Sequence, residues 1–132
     1  MKEERIPADI YWQCVAIAKS YYTMIRRRQE QEEVILQGSP AADGQPKGSG
    51  AGNPTARKAE RLIVVKERND QKIRAIEKAF FRMKDKCAQD VIRKNLFEGV
   101  KMAYIDLPVS IPTMKRYRSK YILYLAQELG EI

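Results

Sequence analysis

The stretch VSIPTMKRYRSKY, residues 109–121, decides how the rest of this chain is interpreted. A helix is predicted to begin here, because the Ser110 side chain can accept a hydrogen bond from the free N–H groups of the next turn. Pro112 is also compatible with the first turn of a helix. The pattern continues to Leu129, and Gly130 follows it. Apolar residues recur at spacings of three, four and four, which predicts one apolar stripe along the helix. They are Met114, Tyr117, Tyr121 and Leu125.

The other side of this helix is basic. Between Val109 and Tyr121 there are four cations and no acid. A helix seated by an apolar stripe, with cationic donors facing outward, is what the second helix of a helix-turn-helix needs to enter the major groove of DNA. A solvated basic face on an ordinary surface helix is the alternative interpretation. The side chains that would contact DNA are Ser110, Thr113, Lys115, Arg116, Arg118, Ser119 and Lys120.

The charge of the chain is unevenly distributed. Its 132 residues predict one domain, or one domain with an appendage, and carry a net charge of +8. Residues 1–53 hold seven basic and seven acidic residues, whereas residues 54–132 hold eighteen basic and ten acidic ones. Positive charge concentrated in one folded part suggests a polyanionic partner, DNA or RNA before a membrane.

The same sequence argues against several classes of protein. It has no run of about 18 apolar residues that could span a bilayer, and Met1–Arg5 lacks the apolar core of a signal peptide, so a cytoplasmic protein is expected. Two distant cysteines, Cys14 and Cys87, and no histidine make a structural zinc site implausible. Without histidine the commonest general base is also missing, and no catalytic constellation is found. We expect neither an enzyme nor a cofactor.

The predicted fold is all-α, with three parts. Residues 1–36 form a helical arm, with one long helix over 7–36 that packs on the second helix or pairs with another protomer. Residues 37–53, rich in glycine and proline, are expected to be a flexible linker. Residues 54–132 form the helical DNA-binding domain, with the helix-turn-helix at about 88–130.

Within the third part, a second long helix is predicted from Pro54 to about Lys86, with polar Asn69 interrupting its apolar seam and fixing the register against a partner helix. A third helix is predicted at about 88–98, with Gly99 as its stop. A short piece at 100–105 and a turn at 106–108 precede the basic helix.

Three stretches carry a resemblance to a known family. They are Met24-Ile25-Arg26-Arg27-Arg28, Asn53 through Ala59, and Ser110 through Gly130. Their order and character are similar to those of the RinA/ArpU group of small phage-encoded late-gene transcription regulators. The last stretch looks like that group's C-terminal recognition helix, a part that is itself similar to the helix-turn-helix of sigma factor region 4. The chain departs from the pattern at 101–108, which is short for the first helix of the pair.

This resemblance implies a sequence-specific regulator of transcription that binds double-stranded DNA in the bacterial host cell, and possible contact with RNA polymerase. A homodimer through the N-terminal helix is a further possibility. Two alternatives stay open: a DNA-packaging component similar to a small terminase subunit, and an adaptor that binds RNA polymerase through the basic face.

Overall fold

In the computed structural model, which describes residues 6–37 and 54–132, all regular secondary structure of the described residues is helical, and they contain no strand. The elements are α1 (Ala8–Lys19), α2 (Tyr21–Gln37), α3 (Pro54–Arg82), α4 (Lys86–Ile92) and α5 (Ile111–Leu129). A π-helical turn, Arg93–Phe97, continues α4, and a 3-10 turn lies at Met102–Tyr104. The predicted all-α fold is confirmed, whereas the predicted linker, apart from Gln37 at the end of α2, lies outside the described residues.

The N-terminal helix is interrupted at Ser20, where one continuous helix was predicted. The Ser20 hydroxyl donates a hydrogen bond of 2.9 Å to the carbonyl of Ala16, and its N–H donates one of 3.0 Å to Ile17. A serine that bonds back to the preceding turn competes with the regular helical pattern and bends the helix. The break lets α1 pack on α5 and the π-helical turn, while α2 packs on α3.

The boundary between α3 and α4 also differs from the prediction. The helix α3 ends at Arg82, four residues early, and α4 begins at Lys86. Two side chains stabilise this boundary. The Gln89 amide donates a 2.7 Å hydrogen bond to the carbonyl of Met83, and the Asp85 carboxylate accepts one of 2.8 Å from the N–H of Cys87. Both satisfy backbone groups that helix ends leave unpaired.

The hydrophobic core is shared between the N-terminal part and the rest of the chain. Its most buried side chains come from all five helices, and they include Cys14, Ala18, Met24, Ile73, Ile76, Ala88, Ile92, Tyr121 and Leu125. A second, smaller cluster of Val91, Ile105 and Met114 lies beneath the first half of α5. The part predicted as an arm is therefore integrated into the core through α1 and the first turn of α2.

The polar residue in the seam of α3 has the expected position. Asn69 is buried between α2 and α3, and its Nδ2 donates a 2.9 Å hydrogen bond to the carbonyl of Met24. A buried amide with one matching acceptor penalises any shift of one helix along the other, because the shift would leave it unpaired. Asn69 thus fixes the register of α2 against α3.

Candidate nucleic-acid interface

The first turn of α5 is held by a chain of side-chain hydrogen bonds. The Ser110 hydroxyl accepts a hydrogen bond from the N–H of Thr113 at 3.4 Å and donates one to Thr113 Oγ1 at 3.0 Å. The Arg116 guanidinium donates to that same Thr113 oxygen at 3.1 Å. The predicted N-cap is therefore confirmed, and the Arg116 side chain is held beside the positive end of the helix.

The apolar stripe of α5 is buried as its spacing predicts. Met114, Tyr121 and Leu125 are at most 2% exposed. The Tyr121 hydroxyl donates a 3.1 Å hydrogen bond to the carbonyl of Ile76 on α3, so the buried phenol has a partner. Burial raises the pKa of this hydroxyl above its ordinary range, which keeps it neutral.

Tyr117, the fourth member of the stripe, is only half-buried. Its hydroxyl lies 3.3 Å from the Asp85 carboxylate between α3 and α4. Desolvation raises the pKa of the Tyr117 hydroxyl, and the negative charge of Asp85 raises it further. Tyr117 therefore remains a neutral donor that ties α5 to the α3–α4 junction.

Four of the seven predicted contact residues form one exposed face. Lys115, Arg116, Ser119 and Lys120 are all exposed, on the side of α5 away from the buried stripe. Lys120 Nζ lies 5.8 Å from the centre of the Tyr124 ring, within range of a cation–π interaction. We call these four residues the outward face of α5. Ser110 is also exposed, at the start of the helix, and Thr113 is half-buried.

Arg118, another residue predicted to contact DNA, does not belong to the outward face. It is half-buried, and its Nε donates a 3.1 Å hydrogen bond to the hydroxyl of Tyr11 on α1. Its Nη1 donates to Asn95 Oδ1 in the π-helical turn at 3.3 Å. The guanidinium carbon Cζ of Arg118 lies 5.9 Å from the centre of the Trp12 ring. Two residues on from Arg116, the helix has turned by about 200°, which directs Arg118 toward α1. Its guanidinium joins α5 to the N-terminal part of the chain.

Tertiary packing brings further cations next to α5. Asp85 contacts Tyr117, and both neighbours of Asp85 in the chain, Lys84 and Lys86, are exposed. The sequence analysis did not connect these lysines with α5. The run Lys84-Asp85-Lys86 was the available signal, but its position beside α5 depends on the packing of α4 and α5. Lys84 and Lys86 are therefore candidates to extend the outward face toward the α3–α4 junction.

The connection that precedes α5 is longer than the turn of a compact helix-turn-helix. Such a motif joins its two helices by three or four residues. Here the π-helical turn ends at Phe97 and α5 begins at Ile111, with only the 3-10 turn Met102–Tyr104 between them. Gly99, predicted as a stop, has a positive φ of 75° and ends the helical segment. The segment 100–105 is therefore too short to be the first helix of such a motif, and the helices that pack on α5 from the preceding part of the chain include α3 and α4.

Other kinds of site are not found in the described part of the chain. Within residues 6–37 and 54–132 there is no group of three or more residues able to hold a metal ion, and no helix is long and apolar enough to cross a membrane. Both cysteines are free. Cys14 is buried, and burial raises the pKa of its thiol, which suppresses the reactive thiolate, whereas Cys87 is half-buried.

In comparisons with known proteins, no protein-family model, no curated protein and no solved structure matches this chain.

Proposed function

We propose that this chain is a double-stranded DNA-binding protein that inserts the first half of α5 into the major groove. The observation that carries the proposal is the outward face of α5. Its three cations and one hydroxyl are exposed together, while Met114 and Tyr121 fix the same helix to the core. An α-helix fits the major groove, and the N-terminal residues of such a helix reach the base edges.

The residues of this face have different roles in the proposal. Arg116, near the start of α5, is the candidate for reading a base, since its planar guanidinium can bond both acceptors of a guanine edge. Lys120, about one turn further along, would contact phosphate, as would Lys84 and Lys86 at the α3–α4 junction. Ser110, which is exposed at the start of α5, is a further candidate for a phosphate contact through its hydroxyl.

The biological role we propose is regulation of transcription, as a phage or prophage late-gene activator acting in the cytoplasm of a bacterial host. This finer assignment rests on the resemblance to the RinA/ArpU group over residues 24–28, 53–59 and 110–130. Contact with RNA polymerase would follow from the same role. The long connection before α5 means that any helix-turn-helix here is an open variant formed by α4 and α5.

The test is selection of bound sequences from a random pool of DNA, followed by affinity measurements on the winner. Arg116→Ala should weaken binding to the selected site by about 1–3 kcal/mol and relax the choice of one base. Lys120→Ala should weaken all sequences alike and reduce the log–log slope of affinity against salt by about one unit.

Lys58→Ala is the matched control. It removes one exposed positive charge on α3. Lys58 lies about 27 Å along α3 from Ile76, the residue that Tyr121 of α5 contacts, so it is far from the outward face. Its affinity for DNA should match that of the wild type. If the double variant Arg116→Ala with Lys120→Ala binds DNA as tightly as the wild type at moderate salt, the outward face is only solvated and the proposal fails.

A further inference from the structure

The paired ends of α2 and α3 expose apolar side chains that the rest of the fold does not cover. These ends form a two-helix hairpin, and five large apolar residues on it are between 48% and 77% exposed. They are Val34, Leu36, Ile63, Val64 and Val65. Isolated exposed apolar residues are ordinary, but several close together on one element indicate an interaction surface.

The side of α3 that faces away from α2 has an ordered arrangement of charge around Val64. Residues seven apart lie on the same side of a helix. Glu60 and Glu67 therefore form an acidic row on one flank of Val64, and Arg61 and Arg68 form a basic row on the other. All five side chains are exposed. We call this surface the outer face of α3, and Arg57, Glu60, Arg61, Val64 and Val65 line a shallow groove of about 540 Å³ on it.

The charges of the outer face are not used within the described fold. Among the described residues, 6–37 and 54–132, no ion pair includes Glu60, Arg61, Glu67 or Arg68. Moreover, Arg57 and Arg61 lie four residues apart, as do Arg68 and Lys72, and like charges at that spacing destabilise a helix. A partner that brings acids to the basic row would relieve this repulsion.

The remaining segments of the chain are poor candidates for covering this surface. Residues 38–53, which connect α2 to α3, contain no leucine, isoleucine, valine, methionine or aromatic residue, and residues 1–5 contain one methionine. They offer little apolar surface to bury against Val64. A nucleic acid would meet the basic row, but the acidic row would repel it, and the valine would gain nothing.

We propose that the outer face of α3 binds the outer face of a second copy of this chain, with the two α3 helices side by side and running in the same direction. In a parallel pair, each flank of one helix lies beside the opposite flank of its partner, as for the g and e positions of a coiled coil. Glu60 and Glu67 then lie against Arg61 and Arg68 of the other copy, and the two Val64 side chains meet on the two-fold axis. In an antiparallel pair, like flanks would meet, and the charges would repel.

The test measures molecular mass by sedimentation equilibrium without DNA, so the result does not depend on the proposed DNA-binding function. Wild-type protein should form a dimer with a dissociation constant below about 0.1 mM. The acidic-row variant, Glu60→Arg with Glu67→Arg, should be monomeric, and so should the basic-row variant, Arg61→Glu with Arg68→Glu. All these positions are exposed, so the helical circular dichroism should not change.

Two recombinations separate specific pairing from a general effect of charge. A one-to-one mixture of the two variants should form a heterodimer, because an all-basic face then meets an all-acidic one. The fourfold variant, which exchanges the two rows and keeps the net charge, should recover the wild-type dimer. The matched control Lys115→Glu with Lys120→Glu changes the charge by the same amount as the basic-row variant, but on α5, and should stay dimeric.

A wild-type protein that is monomeric at about 0.1 mM overturns the proposal. So does a fourfold variant that stays monomeric while folded. If the basic-row variant keeps its dimeric mass and instead loses affinity for DNA, the outer face is a nucleic-acid surface, and pairing through it is excluded.

Discussion

Replacing Arg118 by alanine should destabilise the fold, even though Arg118 belongs to the most basic stretch of the chain. The substitution removes hydrogen bonds of 3.1 Å to the Tyr11 hydroxyl and 3.3 Å to the Asn95 amide oxygen. Asn95 is buried, so its oxygen would lose a partner that water cannot easily replace, whereas Tyr11 is half-buried and can turn to solvent. Hydrogen bonds from a charged donor contribute about 1.5–3 kcal/mol each when buried, and less with partial exposure. A combined loss of about 2 kcal/mol follows.

For a chain of this size, a loss of about 2 kcal/mol corresponds to a fall in Tm of roughly 8 °C. The assay is thermal unfolding followed by circular dichroism, in parallel with DNA affinity measured on folded protein below the transition. Arg118→Lys should recover only part of the loss, because an ammonium group does not reproduce the planar fork that reaches both acceptors.

Arg116→Ala is the internal control. It also removes an arginine side chain, but from an exposed position two residues before Arg118. Its only described hydrogen bond is to Thr113, so its Tm should fall by less than about 3 °C. The two arginines should thus separate, with Arg118 affecting stability and Arg116 affecting DNA binding. If Arg118→Ala keeps the wild-type Tm and loses DNA affinity, the role assigned to Arg118 in joining α5 to α1 is wrong.

Three further outcomes are expected. Tyr121→Ala should lower the free energy of unfolding, measured by chemical denaturation, by about 3 kcal/mol, and Tyr121→Phe should lower it by only about 1 kcal/mol. The reason is that the ring is fully buried, whereas the hydroxyl makes one hydrogen bond. Equal losses for the two variants would contradict this prediction. The free energy of unfolding should fall above about pH 10, because burial and the Glu77 carboxylate raise the pKa of Tyr21 in the folded state. The unfolded chain therefore releases the Tyr21 proton first as the pH rises. A free energy of unfolding that stays constant up to about pH 11 would contradict this prediction. Deleting residues 44–50 should leave the Tm unchanged within about 5 °C, because their glycine-rich composition offers no face to bury, and a larger fall would show that this segment is packed.

The start and end of α5 were predictable from the sequence because the determining interactions are local. Ser110 caps the helix through the N–H of a residue three positions on, and Gly130 ends it with a φ of 79°, a conformation that glycine adopts without a steric penalty. The burial of Tyr121 was predictable as well, since a spacing of three and four residues places it on one side of the helix with Met114 and Leu125. Nothing beyond adjacent turns of the helix was needed.

The role of Arg118 and the break at Ser20 were decided by tertiary structure. Arg118 bonds to a residue 107 positions earlier in the chain, and periodicity alone carries no information on which distant acceptor lies beside a border position. A serine within a helical pattern is equally compatible with a straight helix, and the break becomes favourable when α1 can pack on α5 while α2 packs on α3. Tertiary structure also brings the segment of Lys84 and Lys86 toward α5, because the contact between Tyr117 and Asp85 joins residues that are 32 positions apart in the sequence. The sequence by itself thus determined the all-α class, both ends of α5 and the exposed basic side of α5. The packing of distant segments decided where the N-terminal helix breaks, which cations on and around α5 stay exposed and which one is held within the fold.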